Sequence, residues 1–396
     1  MARTALPIPL GFYQALSPTL SIQRCINWIP SVMEKGALNA TALLQPSGIS
    51  LTNQTGLGIC RGSADVAGVA FFVMGQSLVS MAENGATTNH GAVSGSARVS
   101  MADNGLVLVI VVPGGEAFTY TLSTSTLEKI TDVDFQTSDT VGFIRGFFVF
   151  TASDGKQFFV SNLNQPLVFS GLDFGSAEGD PDRIVTQVID HDELKIIGEK
   201  TTEVFGLLTG TAGFPFQIIP GAFTQKGAHS KYGVVKFDNT YLFIGGGENE
   251  LSAIWRQTSS ASAVKISTDA IDHEIQKFTK AEIAESFITT FSKNGQFFAI
   301  FTFNSTRIPS RTFAYNGTAS GLSGSSVWFE FQTGLEDNSW RVNSIVKAYG
   351  KLFVGDALDG RVGQLVENVY TEYGNTVTRT ATTQPFSAND EAIFAG

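Results

Sequence analysis

Few places in this sequence bring together residues that could do chemistry. His273-Glu274 opens like a zinc-hydrolase helix, in which two histidines four positions apart hold the metal and the glutamate activates water. Position 277, however, is Lys where the second His is required. Gly245-Gly246-Gly247 offers the glycines of a phosphate-cradling loop, but Glu248 follows, and a carboxylate there repels phosphate. In Gly91-Ala-Val-Ser-Gly95 the serine stands one position away from the spacing that a nucleophile elbow needs. The histidines, at 90, 191, 229 and 273, have no metal-ligand spacing. No metal ligands and no cofactor-binding residues are expected.

Asp173, Glu178, Asp180, Asp182, Asp190, Asp192, Glu193, Glu199 and Glu203 form a dense acidic stretch. Paired carboxylates on loops around a pit are the machinery of many glycosidases, so this stretch is the one candidate for catalysis. The sialidase Asp-box pattern Ser-x-Asp-x-Gly-x-Thr-Trp is missing, and Ser153-Asp154-Gly155 places its glycine one position too early. A solvated acidic rim accounts for the stretch without catalysis. No catalytic residue is assigned, and the chain reads as a non-enzyme.

The elements that would position any site repeat a single unit: a short β-rich run, a polar turn, and a second, heavily apolar run. Turns at Gly75, Asn104, Arg145, Asp192, Asn239, Asn294 and Tyr349 mark seven such units, with steps of 29, 41, 47, 47, 55 and 55 residues. Asn104-Gly105 and Asn294-Gly295 among these turns, and Asp154-Gly155 at a further one, supply the positive φ of tight hairpins. Spacing of this kind matches blades of four strands, so an all-β fold is expected: an irregular β-propeller of six or seven blades with an extended N-terminal arm and inserted loops. The expected division is an arm or closing segment over 1–60, the propeller over 61–365, and C-terminal strands over 366–396. One helix is predicted after a cap at Ser267 or Thr268, with Ile271, Ile275 and Phe278 on one face. Residues 86–96 and 304–326 are rich in Gly, Ser, Thr and Asn and read as long loops.

Composition agrees with a folded sheet protein. Of 396 residues, 43% are apolar, 16% are charged and 32 are Phe. A net charge of −10 without a basic cluster excludes a surface that grips phosphates, so nearby DNA is tolerated rather than held. No apolar run reaches the length of a membrane span or a secretory leader, and a soluble chain made in a cytoplasm is expected. Cys25 and Cys60 read as free thiols, although one bridge between them is compatible with the sequence.

Two stretches resemble a known family. Ser21-Ile-Gln-Arg-Cys-Ile-Asn-Trp-Ile-Pro30 is similar to the opening signature of the packaged-DNA stabilisation proteins of short-tailed phages, the tail hub or nozzle family. Leu172-Asp-Phe-Gly-Ser-Ala-Glu-Gly-Asp-Pro-Asp-Arg-Ile184 followed by Gly198-Glu-Lys-Thr-Thr-Glu-Val204 resembles its most characteristic block, and Phe214-Pro-Phe216, Ile219-Pro-Gly-Ala222 and Lys226-Gly227 extend it. Gln45-Pro-Ser-Gly-Ile49 stands where the family usually has Pro-Thr-Pro-Gly-Leu.

The resemblance implies a structural protein of the virion tail. It would form a homo-hexameric ring below the portal-adaptor, close the head after packaging and continue the ejection channel, through which double-stranded DNA passes without specific binding. Implied neighbours are the adaptor ring, a tail needle or plug, and tail spikes or fibres; no membrane partner is implied. Relatives continue beyond the position of Gly396, so the last blade is expected to be completed either by further strands or by N-terminal residues. Arg24, Asn27 and Trp28 are the candidate assembly contacts. The alternative reading is a receptor- or glycan-binding propeller of the tail, possibly one that cleaves glycans.

Overall fold

The computed structural model describes residues 9, 11–15, 21–33, 41–177, 179–180, 182–208 and 213–383. Leu10, Glu178 and the last residues of the chain lie outside them. The chain forms two compact units, one of residues 50–264 and 341–365, the other of residues 1–49, 265–340 and 366–396.

The first unit is a six-bladed propeller. Blade one contains Cys60–Val66, Val69–Met74, Ser77–Met81 and Thr87–Ala92, and blade two Ser100–Asp103, Val107–Val111, Ala117–Thr121 and Thr126–Lys129. Blade three is Ser138–Ile144, Phe147–Ala152, Phe158–Asn162 and Gln165–Gly175, and blade four Ile184–Asp190, Glu193–Gly198, Thr202–Leu207 and Phe216–Thr224. Blade five places Gly227–Ala228 and Val234–Phe237 end to end along one edge of Thr240–Gly246, followed by Ala253–Ser259 and Ser262–Lys265. Blade six takes Val342–Ala348, Lys351–Asp356 and Arg361–Val366 from its own stretch, and its fourth, outermost strand is Gly48–Gln54. Of the two routes to completing the last blade, the N-terminal one is realised.

Alternation along each strand explains why the second runs are apolar throughout. In blade one Phe71 and Val73 face the core shared with Leu108 and Ile110 of blade two, whereas Phe72 and Met74 face Val346 and Phe353 of blade six. In blade two Val109 and Val111 turn the other way, onto Phe148 and Phe150 of blade three. Val149 and Phe158 of blade three then meet Leu194, Ile196 and Phe205 of blade four. A strand buried on both faces must be apolar at odd and even positions alike. Phenylalanine fills these wedges with edge-to-face pairs, such as Phe158 with Phe205 at 4.9 Å.

Six of the seven marked turns belong to this unit. Positive φ at both central residues of Arg145-Gly146 and Tyr349-Gly350 is the backbone that a two-residue hairpin demands. The seventh, Asn294-Gly295, has the same geometry, but its hairpin of Phe287–Lys293 and Gln296–Phe303 lies in the second unit.

That unit is built on a seven-stranded sheet ordered Tyr13–Gln14, Ile22–Ile26, Trp328–Glu330, Arg311–Asn316, Gln296–Phe303, Phe287–Lys293, with Thr380–Thr382 also paired to Ile22–Ile26. Ile29–Val32 and Thr41–Leu44 form a separate pair. The predicted helix is present at Asp269–Ile275, where Thr268 caps it and Ile271 and Ile275 are buried.

The two expected loops differ. Thr87–Ala92 is an outermost blade strand whose exposed face needs no apolar residues, and 304–326 contains the strand Arg311–Asn316 and the helix Gly317–Ser323. Buried Phe313 and Tyr315 hold that strand in the sheet, and the Asn316 side chain caps the helix. Both cysteines are free and buried. Among the described residues no helix is long and apolar enough to cross a membrane.

Two outcomes follow. Gly75 has φ 53°, and a Cβ there would lie 1.8 Å from the Leu57 carbonyl oxygen, whereas Gly105 at φ 82° faces open space. In chemical denaturation Gly105→Ala should cost about 1–2 kcal/mol for its left-handed backbone, and Gly75→Ala clearly more; equal losses would refute the close approach. The second concerns Glu282, which completes a capping box with Thr279 at the short helix Lys280–Ala284. Hydrogen bonds from the Ser305 hydroxyl, then the Thr279 N–H and hydroxyl and Arg307, lower its carboxyl to about 2. A depressed folded value means that the contribution is complete above the unfolded value of 4.5 and disappears as pH falls through about 2. The melting-temperature gap between the parent and Glu282→Gln should therefore be widest above pH 5 and shrink steadily toward pH 2; a gap constant with pH would contradict this.

Candidate functional site

Most described carboxylates of the acidic stretch belong to blade four. The Asp182 carboxylate accepts from the Lys200 and Thr201 backbone N–H groups at 2.6 and 3.0 Å, fixing the turn between the second and third strands of blade four. Glu203 is buried and accepts from the Gly179 N–H at 2.6 Å. Asp190 pairs with His191 at 3.0 Å, Asp192 with Arg145, and Glu193 with Lys195. Glu199 is exposed on a turn. These carboxylates are spread along one blade, and all of them but Glu199 hold a turn, a loop or an ion pair. Among the described residues no group of three His, Cys, Asp or Glu side chains is arranged to hold a metal ion.

The polar residues that converge in the propeller unit do so at its axis. The Tyr232 hydroxyl, before the main strands of blade five, donates to the Arg98 carbonyl oxygen at 2.5 Å, and the Arg98 guanidinium lies 5.7 Å from the Tyr232 ring centroid. Arg98 leads into blade two, which stands opposite blade five in a ring of six, so this contact spans the axis. Arg98 Nη1 donates to Asn343 Oδ1 at 2.6 Å on blade six, and Asn343 Nδ2 donates to the Cys60 carbonyl on blade one. Lys231 pairs with Asp139 of blade three at 3.5 Å, and its carbonyl accepts from the Thr186 hydroxyl of blade four at 3.0 Å.

One polar network thus touches all six blades. Its positive charge is enclosed: burial pulls the Arg98 guanidinium down to about 10, still protonated at neutral pH. Nearby Arg61, almost fully buried, donates to the carbonyls of Gly75, Val93, Ser94 and Ala97, clamping the segment between blades one and two. Such an arrangement fastens inner strands of different blades together. Neither Tyr232 nor Asn343 carries a local sequence signal for this role, because their partners are more than one hundred residues away.

The three sequence candidates lie in the other unit. Arg24 donates to Glu330 at 2.6 and 3.1 Å and to Asp337 at 2.9 Å, and Arg311 joins both carboxylates. Burial opposes charge on Arg24, but the two carboxylates outweigh it and hold the guanidinium above its usual range. Asn27, in the left-handed region at φ 51°, is buried; its amide donates to the carbonyls of Gln332 and Thr378 and its oxygen accepts from the Gln332 N–H. Trp28 is partly exposed, with the Arg379 guanidinium 6.0 Å from its ring centroid. Arg24 and Asn27 therefore join the N-terminal segment to residues more than three hundred positions away.

A ring of four-stranded blades fastened at its centre defines a propeller scaffold. A family model described as bacteriophage P22 Gp10, beta-propeller, matches residues 4–370, and the chain belongs to this family. The tail hub protein gp10 of Salmonella phage P22 is 24% identical over 317 residues, which is 77% of this chain and 65% of that protein. The chain thus aligns with less than two thirds of that relative's length. Solved structures are more distant: a chain of the mitotic checkpoint complex aligns with 84% of this chain and 97% of its own length at TM-score 0.47 and 10% identity. U3-55K gives 0.44 and 9%, covering 81% of this chain and 99% of that one. These two scores are too low to bear on the argument.

Removing the hydroxyl in Tyr232→Phe should cost about 0.5–1.5 kcal/mol in urea unfolding, and Asn343→Ala, which strands the Cys60 carbonyl and an Arg98 donor, about 1–3 kcal/mol. An Asn343→Ala protein as stable as the parent would show that the axial network does not fasten the blades.

Proposed function

We propose that this protein is a structural hub of a short phage tail: a ring, six copies in its finer form, lying below the portal-adaptor, retaining the packaged DNA and forming part of the ejection path. The single observation that carries the reading is membership, over residues 4–370, of the family of a phage tail hub. The propeller supports it by what its residues are committed to, since the converging polar groups fasten blades and the carboxylates stabilise turns. An axis bridged by Tyr232 and Arg98 admits no double helix, so in this reading the DNA path runs between copies and not through a propeller.

A wall of net charge −10 suits that path, because each cationic phosphate contact would retard leaving DNA, whereas repulsion is screened beyond about 8 Å at physiological salt. The protein acts as a passive, non-enzymatic gasket in the virion, with the adaptor ring, a needle or plug, and spikes or fibres as neighbours. Of the three candidate contacts, Trp28 meets neighbours directly, and Arg24 and Asn27 shape the segment that presents it.

Mass photometry of the chain mixed with a portal-adaptor complex should show a gain of six chain masses per complex, with no sugar released from host polysaccharide in parallel assays. A chain that stays monomeric beside the complex, or that cleaves the polysaccharide, would overturn the reading.

A further inference from the structure

Most described arginines pair with a carboxylate of the same chain, Arg24, Arg256, Arg341 and Arg361 among them. Arg379 has no carboxylate partner among the described residues. It immediately precedes Thr380–Thr382, the strand paired with Ile22–Ile26, and its guanidinium lies 5.2 Å from the Tyr370 ring centroid and 6.0 Å from that of Trp28. Nη2 donates to the Tyr370 carbonyl at 3.1 Å, Nε is buried without a partner, and Nη1 has no acceptor among the described residues. Two aromatic rings therefore hold a cation whose charge nothing in the chain offsets.

A cavity of about 230 Å³ adjoins this stack within the same unit. Ile29, Leu44, Pro46 and Tyr370 line it, and Lys293, the cation in its wall, is paired with Glu367 at 3.7 Å. Tyr370 belongs to both the cavity and the stack, and Ile29 follows Trp28 directly. The volume falls short of the roughly 300–1,000 Å³ of sites for small molecules, and it suits one large apolar side chain. Trp, Tyr and Arg around a pocket that takes one anchoring side chain are the residues on which the energy of protein contacts concentrates. A guanidinium with free donors matches a carboxylate, and without a second uncompensated cation in the cavity wall a phosphate backbone is the poorer match.

A carboxylate next to a large exposed apolar side chain is thus the chemistry that fits, and the chain itself displays it. Leu172, 84% exposed, precedes Asp173, and Val133, 97% exposed, stands between Asp132 and Asp134. With 36 acidic against 26 basic residues, a second copy also presents carboxylates in excess. Contacts around a ring join unlike patches, so Arg379 meets a different residue of the next copy and not its own like charge.

We propose that Trp28, Tyr370 and Arg379 with the adjoining cavity form one side of the contact between copies, receiving an Asp or Glu carboxylate on Arg379 and the apolar side chain beside it in the cavity. The inference rests on the reading of the protein as a ring subunit. It is tested on the full chain, assembled on a portal-adaptor complex from a mixture of unlabelled and isotopically heavy copies. Arg379→Lys keeps the charge and places an amine there, which a carbodiimide joins to a carboxylate in contact with it, and the digested peptides are read by mass spectrometry.

The expected product couples position 379 of one copy to an Asp or Glu adjacent to a large apolar residue of another, seen as mixed light and heavy pairs. Arg379→Gln should lower ring occupancy about tenfold while its melting temperature moves by only about 2 °C. A link to Glu367 or any other carboxylate of the same copy, a link to the portal-adaptor, a ring without links, or full occupancy by Arg379→Gln overturns the docking surface while the ring reading stands. A parent chain that adds no ring to the complex overturns both.

Discussion

Closure of the ring depends on one strand borrowed from far away in the sequence. Blade six has only three strands in its own stretch, and Arg361–Val366 would present a bare edge if Gly48–Gln54 did not pair with it. An unpaired edge leaves backbone donors and acceptors without partners and invites other chains, which makes the borrowed strand a condition of a stable ring and not an ornament. The contact joins residues some three hundred positions apart, so the entropy of a very long loop is lost before the ring gains its last interface.

The other features follow from a closed ring. With each blade buried on both faces, every inner sheet becomes a wedge between two neighbours, and the phenylalanines fill those wedges. Six inner strands that converge must also place their polar ends somewhere, and the network of Arg98, Tyr232, Asn343 and Lys231 satisfies them across the axis.

Much of the propeller was legible because its information is local. Arg145-Gly146 and Tyr349-Gly350 announce hairpins through a backbone that few residues tolerate, and doubly buried strands announce themselves by unbroken apolar runs. What failed locally is instructive. Asn294-Gly295 has the same turn chemistry as the blades, yet its hairpin joins another sheet, since a turn fixes two strands and says nothing about the third. Outer strands such as Thr87–Ala92 lack apolar residues because one face meets water, so they read as loops. The axial site was invisible, for Tyr232 and Arg98 meet only after the ring closes. Arg24 and Asn27 were conspicuous as polar residues in a motif, and the structure occupies both within the chain.

Hydrogen exchange of the full chain, resolved to single strands, tests ring closure most directly. The account predicts that amides of Gly48–Gln54 are as strongly protected as those of Arg361–Val366 and that the two strands lose protection together. Rapid exchange throughout Gly48–Gln54, alongside a slowly exchanging blade six, would contradict it, because the strand would then be a loose arm and the ring would close without it.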